Sequence, residues 1–256
     1  MTNIKEPKEC ICCGGTYEHI RGAPKGTYSC TTCKHIYRHS YMKTALEFHS
    51  QGGDYRKGEY DTETGMFKDI YKMPTKVAIR RQRVNAQLSM VSEYISKEQT
   101  ALEVASGKGF LLTELKDRFS EVTGMDLHPA VAKHNNVVNP HADFIVCDYL
   151  KMKEEKKYDV ILAFDVMEHI EDANKFVEKT AALANEYAII QVPADRKLKP
   201  INPGFDGHVH YFSEQSLKAI FTKNNLFDCM FMYKSKPKEL ANGREILAVF
   251  KVKNQL

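Results

Sequence analysis

Between Thr100 and Pro193 short apolar segments recur at regular intervals, separated each time by a stretch with helical character: ALEVA, EVTGMD, DFIVCD, YDVILAFD and EYAIIQVP. A strand can lie parallel to its predecessor only if a crossover returns the chain to the same end. The alternation therefore predicts a parallel sheet covered by helices, a doubly wound α/β fold. The tail departs from this rule. Ser213 and Glu214 open a helix, which is followed by LFDCMFMY, a turn region containing Asn242-Gly243, and EILAVFKV. Two strands so joined are expected to pair antiparallel at the sheet edge.

Ahead of this block, Val77, Val84, Leu88, Val91 and Ile95 follow Pro74 at helical spacing, with Arg80, Arg81 and Arg83 on the other face. At 256 residues the chain suits one principal domain with an N-terminal appendage. The predicted layout is an appendage over 1–38, a connecting or lid region over 39–73, rich in Tyr, Gly, Lys and Asp, and the main domain over 74–256.

Five of the seven cysteines fall between positions 10 and 33, as Cys10-x2-Cys13 and Cys30-x2-Cys33. Each pair can place two thiolates on one tight turn, and four thiolates complete the tetrahedral shell that zinc accepts, so the spacing points to a zinc ribbon. Such a shell has no open position, which makes the metal structural. Tyr17, Ile20 and Tyr28 are the expected hairpin core, and Cys12 is a possible substitute ligand. The competing account is a set of buried free cysteines. Cys147 and Cys229, in strand-like surroundings, are read as core residues.

No apolar run approaches the roughly 18 residues that span a bilayer, and the N-terminus lacks the apolar stretch of a secretory signal. A cytoplasmic location with reduced thiols is expected, without membrane attachment. Residues 1–98 hold 16 Lys and Arg against 11 Asp and Glu, so the positive excess lies entirely in the first part. That could attract a phosphorylated or nucleic-acid substrate, or be an ordinary solvated surface.

LEVASGKGFLLTEL sets a strand, a small glycine-containing loop and a helix in succession, an arrangement that lets backbone approach a ligand closely. Asp126 ends the next strand at the position expected to hydrogen-bond ribose hydroxyls. Here the chain resembles the class I S-adenosylmethionine-dependent methyltransferases, over about Pro74 to Leu256. The resemblance implies a mostly parallel seven-stranded sheet whose last strand is antiparallel, with S-adenosylmethionine as cofactor. It assigns Glu103, Gly107 and Gly109 to the amino-acid part of the cofactor, and Asp126 and Leu127, in GMDLHP, to the ribose segment. In CDYL it places Asp148 near the adenine amino group and Tyr149 beside the ring, and in YDVILAFDVMEHIED it sets Phe164 and Asp165 along the cofactor and acceptor sites. Ala105 stands where the family usually has glycine; a negative φ would accommodate it in a slightly altered loop. A nicotinamide-binding domain would favour a fuller G-x-G-x-x-G and leave the later motifs unexplained.

Methyl transfer is an in-line displacement that needs nucleophile and methyl group aligned in a dry pocket, with a base for some acceptors. Glu168 and His169, and His208, His210 and Tyr211 in FDGHVHYFS, are the candidates, with His169, His210 and Glu168 the preferred catalytic set. The Asp165-x2-Glu168-His169 pattern resembles relatives that recruit a divalent cation, a later histidine, here His208 or His210, completing the set. The simpler alternative is a capping glutamate and a histidine acting alone. The zinc ribbon ahead of such a domain resembles methyltransferases of sugars and other small molecules, implying O- or N-methylation of a small polar, sugar or phosphorylated acceptor. Two alternatives stand beside it: an RNA methyltransferase gripping phosphates with the ribbon and Arg80, Arg81 and Arg83, and a non-catalytic cofactor-binding scaffold.

Overall fold

The computed structural model describes residues 7–23, 26–38, 60–61, 66–67, 74–194, 208–235 and 244–253. Most of the connecting region 39–73 and the Asn242-Gly243 turn lie outside these residues. The chain opens with β1 (Tyr17–His19), β2 (Thr27–Cys30) and β3 (Ile36–Arg38), then β4 (Tyr60–Asp61) and β5 (Met66–Phe67). Next come α1 (Pro74–Met90), β6 (Thr100–Val104), α2 (Phe110–Leu115), β7 (Glu121–Asp126), α3 (Pro129–Val138) and β8 (Asp143–Val146). The remainder is β9 (Tyr158–Phe164), α4 (Ala173–Leu183), β10 (Ala184–Pro193), β11 (His210–Tyr211), α5 (Glu214–Thr222), β12 (Phe227–Lys234) and β13 (Glu245–Val252).

Seven strands form one sheet in the order β12-β13-β10-β9-β6-β7-β8, parallel from β10 to β8. This is the doubly wound sheet anticipated from the sequence. The terminal pair is antiparallel, but β13 is not the edge: it inserts between β10 and β12. β6, β7 and β8 run outward one way and β9, β10 the other. The order therefore reverses between β6 and β9, and in open α/β sheets the crevice for a ligand lies at such a reversal, beyond the carboxyl ends of the strands.

Alternation along the strands fills both faces. Leu102, Ile161 and Ile190 pack toward α4 and α5 with Phe176, Phe221 and Phe250, while Ala101, Leu162 and Ile189 pack toward α1 and α2 with Leu88, Leu112 and Leu115. The Phe221 and Phe250 rings stack 4.1 Å apart, and burying each is worth about 1.5–3 kcal/mol. Ser213 caps α5 by accepting the Ser216 amide at 3.0 Å. α1 is shorter than its apolar repeat suggested. It ends at Met90, and Val91, fully buried, begins a separate 3-10 turn over Ser92–Tyr94.

The cysteine segment forms a small sheet of order β1-β2-β3-β11. Its fourth strand thus comes from the main domain, Ile36 facing Tyr211 and Tyr37 facing His210. Beyond the ladder, the Arg38 amide donates to the Val209 carbonyl at 2.9 Å and the Ser213 hydroxyl to the Cys33 carbonyl at 2.5 Å. The Lys223 ammonium donates to the Ile11 carbonyl. Tyr17 is buried as expected, whereas Ile20 and Tyr28 are only partly so.

Candidate functional site

A cavity of about 1190 Å³ opens over the carboxyl ends of β6, β7, β9 and β10. That exceeds the 300–1,000 Å³ usual for one drug-sized ligand and leaves room for two reactants.

One end of it is built by the loop from β6 to α2. Ala105, Gly107 and Gly109 all take positive φ, of 55°, 51° and 73°. The expectation of a negative φ at Ala105 is therefore wrong. The loop keeps the left-handed turn that glycine would adopt freely, and alanine pays for its Cβ there, by about 1–2 kcal/mol. The coil is held by the Ser106 amide donating to the Met125 carbonyl at 2.9 Å and the Gly107 amide to Asp126 Oδ2 at 3.1 Å. The other oxygen of Asp126 accepts the His128 amide at 3.0 Å. Burial raises the Asp126 carboxyl above its ordinary value, against the pull of these amides. Glu103 is also buried and faces the cavity, with its Oε2 without a hydrogen-bond partner among the described residues. Burial pushes its carboxyl well above the usual range, the nearby Asp126 adding to the shift.

Gly109 has a different task from the one assigned to it. It is not among the residues lining the cavity, and a Cβ there would stand 1.9 Å from Asn135 Oδ1 and 2.3 Å from Asn139 Nδ2. These two asparagines of α3 rivet the loop, Asn135 donating to the Gly107 carbonyl at 2.9 Å and Asn139 to the Gly109 carbonyl at 3.2 Å. Neither was singled out from the sequence.

Leu127, half exposed, and Asp148 line the same end. Asp148 accepts the Leu150 amide at 3.0 Å, capping a 3-10 turn. Tyr149 reaches the cavity wall, but its hydroxyl lies 2.9 Å from the Thr180 hydroxyl and its ring packs on Phe176. Its side chain is thus committed to α4. Cys147, expected in the core, lies half-buried on the cavity wall; Cys229 is half-buried too.

The other end gathers residues from distant elements. Phe164 ends β9 and Asp165 follows it at φ 56°, both lining the cavity. Asp165 Oδ2 meets Arg83 Nη2 at 3.1 Å, and the same guanidinium meets Glu245 Oε1 at 2.5 Å. Gln87 Nε2 donates to Glu245 Oε2 at 2.7 Å. Glu168 is buried, with His169 Nε2 and His208 Nε2 at 3.8 Å and 3.9 Å from its Oε1. The two imidazoles meet edge to face at 4.6 Å. One ligand atom from each of these three residues lies within 4.8 Å of the others, a spacing compatible with a shared cation. Asp165 is not part of this group.

His210 is not brought to the cavity. Its ring is fully buried between His35, Tyr37 and Phe212, its Nε2 2.9 Å from the Ile170 carbonyl oxygen. Burial, with the neighbouring His35 adding to it, holds its pKa down at about 3. A base needs reach to the acceptor, so the preferred set loses His210; His208 is the histidine that stands beside His169. Tyr211 lines the cavity and its hydroxyl accepts a hydrogen bond from Arg38 at 2.7 Å.

In the ribbon, Cys10 and Cys33 Sγ are 3.5 Å apart, as are Cys13 and Cys30 Sγ, and all four lie within 4.8 Å of one another. Tetrahedral zinc–thiolate bonds of about 2.3 Å require sulfurs nearly 4 Å apart, so the set fits such an ion. Cys10, Cys12 and His35 form a second, overlapping group.

A family model described as a methyltransferase domain matches residues 77–227. The chain belongs to that family. Among curated methyltransferases, the ubiquinone biosynthesis O-methyltransferase of Pelagibacter ubique is 24% identical over 141 residues, 52% of this chain. The match spans 58% of that relative's length. Solved methyltransferases share the fold. The magnesium protoporphyrin IX methyltransferase of Synechocystis, with bound S-adenosylhomocysteine, superposes with a TM-score of 0.57 at 18% identity, covering 82% of this chain and 99% of that one. The N-methyltransferase NodS of Bradyrhizobium japonicum, also with S-adenosylhomocysteine, gives 0.56 at 14% identity, covering 74% and 95%. Within this methyltransferase domain no described helix is long and apolar enough to cross a membrane.

Proposed function

We propose that this chain transfers a methyl group from S-adenosylmethionine to a hydroxyl or amine of a small polar acceptor, a sugar or phosphorylated compound among them. The observation that carries the reading is the junction of Gly107 and Asp126, a left-handed loop bonded to the carboxylate that ends β7, beside the buried carboxylate of Glu103. That arrangement offers backbone amides, a ribose acceptor and a buried carboxyl group on one rim, while half-exposed Leu127 supplies an apolar surface for a purine ring. The cofactor, when bound, supplies an already activated methyl group. Glu103 and Asp126 then hold its polar ends, and Asp148 lies within the same rim.

At the far end His169, oriented beside Glu168 and His208, is the candidate base, receiving the acceptor's proton. The same three side chains could hold a divalent cation that acidifies an acceptor hydroxyl. Cys10, Cys13, Cys30 and Cys33 would hold structural zinc. The relative named an O-methyltransferase favours a hydroxyl acceptor.

Against the RNA reading stands the engagement of its arginines: Arg81 meets Glu114 at 2.5 Å, Arg83 is held by two carboxylates, and Arg80 lies over the Phe110 ring. The scaffold alternative predicts cofactor binding without turnover. Calorimetry with S-adenosylhomocysteine tests the proposal. Micromolar binding, weakened at least about tenfold by Asp126→Ala, is expected, and no binding at millimolar ligand would refute it.

A further inference from the structure

Gln191 stands at the carboxyl end of β10, opposite Phe164 of β9 and Leu247 of β13. Alternation along the strand puts it on the same face as Ile189, the face that α1 covers. It is wholly buried in the floor of the cavity, and neither its Oε1 nor its Nε2 meets a hydrogen-bond partner among the described residues.

Its surroundings show what a satisfied amide looks like here. Gln87, equally buried on the same wall, donates to Glu245 at 2.7 Å, and the other oxygen of that carboxylate belongs to Arg83. A buried amide without partners costs stability, and methionine would fill the same volume without that cost. Packing thus gives no reason for glutamine at this position. The Gln191 carbonyl meanwhile accepts the Asp165 amide at 3.1 Å, tying the residue to the left-handed turn that ends β9.

The place of Gln191 selects its ligand. The loop and Asp126 occupy β6 and β7, whereas Gln191 lies beyond β9 on the opposite side of the reversal, the half left for the acceptor. We infer that Gln191 contacts the methyl acceptor, its Oε1 accepting the hydrogen of the nucleophilic hydroxyl or amine and its Nε2 donating to a neighbouring oxygen. A vicinal diol presents that pair of groups. The amide is neutral and has no basic nitrogen, so it orients the nucleophile's lone pair and leaves the proton to another group. The inference rests on the methyl-transfer reading above.

The test uses the full-length protein with S-adenosylhomocysteine bound, and water as the hydroxyl probe. In a crystal structure of that complex an ordered water is expected within about 3.2 Å of both Oε1 and Nε2. Gln191→Met should melt no lower than the parent and bind S-adenosylhomocysteine within about twofold of it. A hydrogen bond from the amide to a protein group in the complex would overturn the assignment. So would a melting temperature lowered by more than about 4 °C, or a tenfold loss of S-adenosylhomocysteine affinity, roughly the scale of a structural or cofactor contact. If the parent protein itself binds no S-adenosylhomocysteine, the methyl-transfer reading fails and takes this inference with it; the other results sink Gln191 alone.

Discussion

The guanidinium of Arg83, on the helix before the sheet, reaches the carboxylate of Glu245 at the start of the last strand, 2.5 Å away, with both side chains largely shielded from water. Burial raises the Glu245 carboxyl above its ordinary value even though Arg83 draws it down.

Breaking such a buried pair from one side is costly because it strands the other charge. Arg83→Met is expected to lower stability by about 3 kcal/mol, whereas Arg83→Met combined with Glu245→Gln should recover much of that loss. Urea titrations of the two single variants and the double variant measure the coupling. Simple additivity would show that the pair contributes nothing.

Ala105 holds a left-handed conformation with its methyl group exposed. Replacing it by glycine removes the Cβ clash but frees the unfolded chain, so Ala105→Gly should stabilise by about 0.5–1 kcal/mol. In a chain this size that raises the melting temperature by roughly 1–4 °C. A melting temperature that falls would mean the loop is not left-handed in solution.

The four thiols of Cys10, Cys13, Cys30 and Cys33 are spaced for one ion. Elemental analysis should find one zinc per chain, lost in Cys30→Ser and retained in Cys12→Ser. Retention in Cys30→Ser with loss in Cys12→Ser would make the overlapping group of Cys10, Cys12 and His35 the true site. Metal-free protein should melt lower, since a structural metal contributes its binding free energy to folding.

His210 gives a pH dependence of defined sign. Its folded pKa of about 3 lies below the ordinary value of 6.5, so on acidification the unfolded chain takes up the proton first. Its contribution is flat above about pH 6.5 and erodes as the pH falls toward 3, by at most about 1.4 kcal/mol per pH unit. Urea midpoints between pH 7 and 5 should show this fall, and His210→Phe should flatten it. An unchanged slope in the variant would place the titration elsewhere.

How far the sequence could be read depended on how local each feature was. β7 and β13 run over the very segments EVTGMD and EILAVFKV, because short apolar runs bounded by turn residues favour buried strands. The loop and Asp126 were legible because strand, glycines and acid all lie between Thr100 and Asp126. Arg83, Gln87, Gln191 and Glu245 were not, since α1, β10 and β13 bring them together from separate parts of the chain. The two histidines of HVH show a subtler limit. Strict alternation would turn His208 and His210 to the same side. A bend at Val209 separates them, its amide donating to the Glu168 carbonyl and its own carbonyl accepting the Arg38 amide. Nothing in three residues announces that bend, because its cause is a strand from the other end of the chain.

That strand has a consequence for how the molecule is made. Ile36 and Tyr37 leave the ribosome early, yet the residues they pair with, Tyr211 and His210, follow more than 170 positions later. At about 5–20 residues per second the ribbon waits some ten seconds or more for its fourth strand. A segment synthesised well ahead of β11 is therefore among the last to finish folding, and its docking sets His208 and Tyr211 in the cavity wall. Nascent chains ending before position 208 should hold a ribbon whose third strand pairs with β2 alone. An intact β3–β11 ladder then reports that the His208–Tyr211 part of the cavity wall has formed.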